Sequence, residues 1–217
     1  MSANKVVDLR KLLAARFPHP SPPPASVFTT GVDCLDQIAG GLPKSAITEL
    51  ISPKLSAGSG SLIHALLRSA QHDQHFVALV DGSDSFDPGS SDNSALQHLL
   101  WVRCHKAFDA IKAADFLLRD GNFPIVIVDL VLNSVDELRK IPQTSWYRLQ
   151  RLVEAVPTAC LVINRQSLVS SAQLKIVLEN SWALTDLEKE NAISSLRFRI
   201  QRSHLKSAFR NPQSAIN

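Results

Sequence analysis

From Val27 onward, strand-length runs of Val, Ile, Leu and Ala alternate with helix-length amphipathic stretches, and that alternation admits few architectures. Three runs are clear: Phe76–Val80, Ile125–Val128 and Cys160–Ile163. Each is apolar at nearly every position, the pattern of a strand covered on both faces, and each passes into polar residues. Two further strands are read at Ile47–Ile51 and Leu99–Val102, with Ser61–Gln71, Lys106–Arg119 and Thr144–Ala155 as the helices between. The fold expected is α/β, a mostly parallel central sheet flanked by helices. At the far end, Leu196, Phe198 and Ile200 alternate with Arg197, Arg199 and Gln201. This predicts an antiparallel edge strand over Ser195–Ser203, with the three apolar residues turned inward.

At 217 residues the chain is long enough for one α/β core and a small appendage. The appendage is expected at residues 1–24. Val6, Leu9, Leu12, Leu13 and Phe17 recur at helical spacing, and the Pro-rich stretch Pro18–Pro24 then favours an extended spacer because proline fixes φ and lacks an N–H. The core is assigned to residues 25–206, and the polar stretch 207–217 is expected to be a flexible tail. Leu9, Leu12, Leu13 and Phe17 are candidates for binding a partner, or for packing on their own core. Trp146 and Tyr147, at the start of a helix with Arg148 and Arg151, are candidates for the same role.

Hydrophobic residues make up 45% of the chain and charged residues 20%, and no apolar run reaches membrane length. Asp8, Arg10, Lys11 and Arg16 interrupt any secretory signal at the N-terminus, so a cytoplasmic location is expected. Cys34, Cys104 and Cys160 have neither zinc-ligand nor CxxC spacing and are expected to be reduced thiols. A net charge of +3 permits an acidic partner such as DNA without implying one.

The stretch after Ile51 has the outline of a phosphate-binding loop: a strand, the glycine- and serine-rich segment 52–60, and a helix starting near Ser61. Such a loop wraps phosphates in backbone N–H groups, while a Lys neutralises charge and a Ser or Thr holds Mg²⁺. In this loop the Lys position falls on Gly58 or, one residue on, Ser59. Lys54 stands early in the loop. Two readings remain open: a plain Gly/Ser connection, or residual ATP/Mg²⁺ or anion binding by Lys54, Gly58, Ser59, Gly60 and Ser61. Asp129 ends a strand as a Walker-B carboxylate does, an arrangement an ordinary turn cap also shares. Asp81, Asp84 and Asp87 stand in a turn-rich stretch and are readable either as Asx turns or as metal ligands.

Thr29-Thr30-Gly31-Val32-Asp33-Cys34-Leu35-Asp36, then Gly40-Gly41-Leu42-Pro43 and Ile47-Thr48-Glu49-Leu50, closely resemble the entry to the RecA-type ATPase core. The likeness runs on through Leu79-Val80-Asp81, Phe86-Asp87-Pro88, Val126-Ile127-Val128-Asp129 and Val162-Ile163-Asn164. Leu99-Leu100-Trp101-Val102-Arg103-Cys104, the stretch Ala113–Gly121 and Trp146–Leu152 are most similar to the ImuA-like branch of that superfamily. The resemblance implies a RecA-like P-loop core and a bacterial accessory protein of the DNA-damage (SOS) response and translesion synthesis. It further implies partners among RecA, a Y-family-polymerase-like subunit and an error-prone polymerase, with no cofactor required.

Against RecA's own pattern the catalytic Glu position holds Ser83, and the γ-phosphate sensor after Asn164 holds Arg165. The stretches resembling its DNA-binding loops are short, near 140–142 and 168–173. The leading expectation is therefore a noncatalytic interaction module. The alternatives are a weak ATPase or ATP-gated switch, and a DNA-binding protein. For the last, Arg197, Arg199, Arg202 and Lys206 lie in a stretch without acidic residues, which suits a phosphate backbone or equally a solvated edge strand.

Overall fold

A computed structural model describes residues 26–183 and 192–203. The helix expected over Val6–Phe17, its Pro-rich spacer, Leu9, Leu12, Leu13, Phe17, Lys206 and the tail lie outside the described residues.

The described chain runs β1 (Val27–Phe28), α1 (Asp33–Ala39), β2 (Leu42–Pro43), β3 (Ala46–Ile51), α2 (Ser59–His72), β4 (Val77–Asp81), α3 (Asn93–Leu96) and β5 (Leu99–Arg103). It continues through α4 (Ala107–Asp120), β6 (Ile125–Asp129), α5 (Val135–Arg139), α6 (Gln143–Val153), β7 (Ala159–Asn164), β8 (Leu174–Leu178) and β9 (Phe198–Ser203). Seven strands form one sheet in the order β5-β4-β6-β7-β3-β8-β9, while β1 and β2 make a small antiparallel pair. Within the large sheet only β9 runs antiparallel, beside β8. The expected α/β fold with a mostly parallel sheet is what the structure shows.

The period of two along each strand divides the core. Leu50, Leu79, Ile127 and Leu161 face a layer supplied by α1 and α2, including Leu35, Leu62 and Leu66. Ile47, Val80, Val128 and Val162 face the opposite layer, supplied by α4, α5 and α6. The central strands are thus covered on both sides, which is why they read as continuous apolar runs.

Two early residues hold the entry to the core. Asp36 accepts hydrogen bonds from the Thr30 hydroxyl (2.8 Å) and from the Thr30 and Gly31 N–H groups, closing the turn before α1. Gly31 has φ +70, and a Cβ there would stand 2.8 Å from that of Ser69 on α2, so glycine is required twice over.

Two expectations need correction, and one strand was not read from the sequence. Trp146 is 1% exposed and fills the core beneath α6, because the helix turns Trp146, Leu149 and Val153 inward together; it is not available to a partner. Ile200 pairs with Ile176 next to a register shift between Lys175 and Ile176, and it is 37% exposed rather than inward like Leu196 and Phe198. The strand β8, whose Lys175 breaks the apolar run, was not anticipated.

Candidate functional site

The carboxyl ends of parallel strands gather at one edge of such a sheet, and there the loops can build a site. Here β3 delivers Ser52, whose N–H donates to the Asn164 carbonyl (2.7 Å), and the chain turns once through Leu55–Ala57 before reaching Gly58. Gly58 has φ +94, and a Cβ on it would lie 2.9 Å from both Leu196 and the Trp182 ring. The helix α2 then begins. Ser59 is buried, whereas a Cβ on Gly60 would meet nothing within 4 Å.

A cleft of about 210 Å³ opens beside this turn. Ser59, Gly60 and His64 of α2 line one side, Phe86 and Asp87 another, and Asp129 with Leu132 a third. Among the described residues its ionisable lining is Asp87, Asp129 and His64, with neither Lys nor Arg. Lys54 is exposed and lies off this lining, as does Arg165. His64 stacks on Phe86 and shares a hydrogen with the Ser91 hydroxyl (2.5 Å), and burial pushes its imidazole pKa down. Ser61 is half-buried on the first turn of α2.

Asp129 is the most perturbed carboxyl in the cleft. Burial pushes its pKa from an ordinary 3.8 up to about 6; the Val131 N–H, donating at 3.0 Å, opposes the rise, and Asp81, its register partner on β4, adds to it. An acid raised in the folded state binds more protons folded than unfolded between these two values. Its contribution to stability is therefore most favourable below about pH 4 and falls as pH rises toward 6. Asp129→Asn should remove that penalty, raising stability by about 2 kcal/mol at pH 7.5 and leaving it nearly unchanged at pH 3.5. Thermal melts of both proteins at the two pH values check this.

The other acidic residues nearby are occupied. The Asp81 carboxylate accepts from the N–H groups of Ser83, Ser85 (2.7 Å) and Phe86 (2.8 Å) and from the Trp101 indole (3.3 Å). Asp84 is gripped by both arms of Arg103, which holds its carboxyl below the usual range. Asp87 caps the turn at Gly89 and Ser90. They are Asx turns and an ion pair, and among the described residues no His, Cys, Asp or Glu cluster suits a metal ion.

At the end of β7, Asn164 points back to Glu49 at 3.1 Å rather than into the cleft. Glu49 is fully buried, pairs with Lys175 Nζ at 2.6 Å and accepts from the backbone N–H groups of Leu168 and Val169 (2.9 Å for the latter) and from the Ser167 hydroxyl. No role for Glu49 or Lys175 was read from the sequence. The available signal was a charged residue in the middle of each of two apolar strand runs. Their effect is to fasten Ser167, Leu168 and Val169, just beyond β7, down onto the sheet.

Arg197, Arg199 and Arg202 are all exposed along β9 and its approach, and Arg199 pairs with Glu179 at 2.6 Å. Tyr147 is 51% exposed on α6. Cys104 and Cys160 are buried and Cys34 partly so, all as free thiols, with burial pushing Cys160 up to about 12. Among the described residues no helix is long and apolar enough to cross a membrane.

No family model matches the chain. Protein RecA of Kineococcus radiotolerans is 30% identical over 113 residues, which are 50% of this chain and 32% of that protein. Protein RecA of Chlorobaculum tepidum is 30% identical over 109 residues, 48% of this chain and 31% of its own. For Protein RecA of Corynebacterium pseudotuberculosis the identity is 27% over 128 residues, 57% and 34% of the two chains. The chain thus spans about a third of the length of the curated relatives it matches. These distant similarities, joined to a mostly parallel seven-stranded sheet with helices on both faces, support a core of the RecA-like superfamily.

Proposed function

We propose that this chain is a noncatalytic RecA-like accessory protein of the bacterial DNA-damage response, serving translesion synthesis through protein contacts. The observation that carries the proposal is the electrostatics of the cleft: among the described residues two carboxylates and an imidazole held toward its neutral form line it, with no Lys or Arg. Phosphoryl transfer is stabilised chiefly by fixed positive charge at the terminal phosphates, and the described lining supplies none of its own. The resemblance to the ImuA-like branch supports the pathway and the partners, which are RecA, a Y-family-polymerase-like subunit and an error-prone polymerase.

Titration with ATP and magnesium, followed by a phosphate-release assay, tests the reading. No turnover above buffer is expected. Turnover that disappears in Asp129→Asn would overturn it, and a pull-down from DNA-damaged bacterial cells would identify the partner. A second reading, an ATP-gated switch, draws support from the open ground at Gly60 beside the first turn of α2. Magnesium-dependent nucleotide binding lost in Gly60→Leu would favour it.

A further inference from the structure

Among the described residues, the largest exposed aromatic group lies away from the cleft, on the face formed by α4 and α6. Phe116 is 73% exposed, Phe108 46% and Tyr147 51%, on a surface where single apolar residues are ordinary but a cluster in a groove is not. Two hollows of about 270 and 510 Å³ run along the face and share Arg148. Phe108, Ile111, Phe116 and Leu149 supply the apolar lining of the first. The charges on its rim are already paired: Asp115 binds Arg119 (2.8 Å) and Arg148 (2.6 Å), and Lys112 binds Asp109 (3.0 Å). Such a groove offers its occupant apolar contact rather than a salt bridge.

The described chain begins at the matching end of this face. Lys44 donates to the Ser26 carbonyl (2.9 Å), Ser45 donates to the carbonyls of Thr158 (2.8 Å) and Val156 (2.7 Å), and Val156 donates to Val153, the last residue of α6 (3.2 Å). The Pro-rich spacer 18–24 can span about 22 Å when extended at ~3.1 Å per residue. An 11-residue α6 is about 16 Å long, and a helix over residues 6–17 would be about 18 Å. The stripe Val6, Leu9, Leu13 and Phe17 is apolar, as the groove requires. A spacer of this length holds the stripe near its own groove at an effective concentration of about a millimolar, which favours the same chain over a second one.

We infer that residues 6–17 dock as an amphipathic helix in the groove between α4 and α6 of their own chain. A partner that uses this face must displace them, which makes the segment an internal competitor. The docking is independent of whether the cleft at Gly58 takes nucleotide, so this inference and the nucleotide titration fail separately.

Hydroxyl-radical footprinting of the full chain tests it against the double variant Leu9→Asp/Leu13→Asp. Both substitutions fall before the first described residue, and Phe76, 53% exposed and off this face, serves as the internal reference. Oxidation of Phe116 and Tyr147 is expected to rise several-fold in the variant, with Phe76 unchanged and both proteins monomeric by sedimentation. Equal oxidation of Phe116 and Tyr147 in the two proteins would overturn the docking. A difference that appears only with concentration-dependent doubling of mass would also overturn it, because the helix would then occupy a second copy.

Discussion

Lys175→Met is expected to lower the stability of the fold by about 3–5 kcal/mol, the usual effect of stranding one member of a buried ion pair. Glu49 would be left fully buried without its cation, although Asn164, Ser167 and two backbone N–H groups would still donate to it. Those donors were arranged for a carboxylate balanced by an ammonium at 2.6 Å, and they cannot replace its charge. For a chain of this size the loss corresponds to a fall in Tm of at least about 6 °C. A Tm within about 2 °C of the parent would show that the pair is a minor contributor. Hydrogen exchange should add a local sign: the amides of Leu168 and Val169 lose protection first, since their acceptor is the carboxylate left unpaired.

Gly58→Val should cost about 3 kcal/mol, from two separate causes. The backbone at φ +94 is one that a β-branched residue adopts only under strain, and the new Cβ would enter the space of the Trp182 ring and Leu196. Two residues on, Gly60→Leu should have the opposite sign. A Cβ there would meet no atom within 4 Å beyond its own helix backbone and chain neighbours, and replacing glycine in a helix gains up to about 0.8 kcal/mol. Chemical denaturation of the two variants reads both effects. Equal destabilisation would mean that the turn is not seated against Trp182. In the same pair, loss of nucleotide binding confined to Gly60→Leu would separate a chemical role for this turn from a packing one.

The behaviour of these neighbouring glycines shows where sequence reading stops. A Gly/Ser loop between a strand and a helix was legible because turn residues and apolar periodicity are local signals. That one glycine lies beneath an indole from residue 182 while the other faces open space is set by chain more than a hundred residues away. The same limit explains Trp146. Its position at the head of an amphipathic helix was correct, but which side of that helix meets the sheet depends on how α6 lies over β7 and β3.

Local pattern determined the strands that are covered on both faces, the long helices between them and the antiparallel edge, because burying a strand or helix imposes its own period on the residues. Loop chemistry also marked the glycine- and serine-rich connection between β3 and α2. Tertiary structure alone decided the strand order, the partnership of Glu49 with Lys175 and which described residues line the cleft, none of them a Lys or Arg. Periodicity reports that a face is covered and not by what; the identity of the neighbour is a property of the folded chain, where residues distant in sequence share one low-dielectric interior.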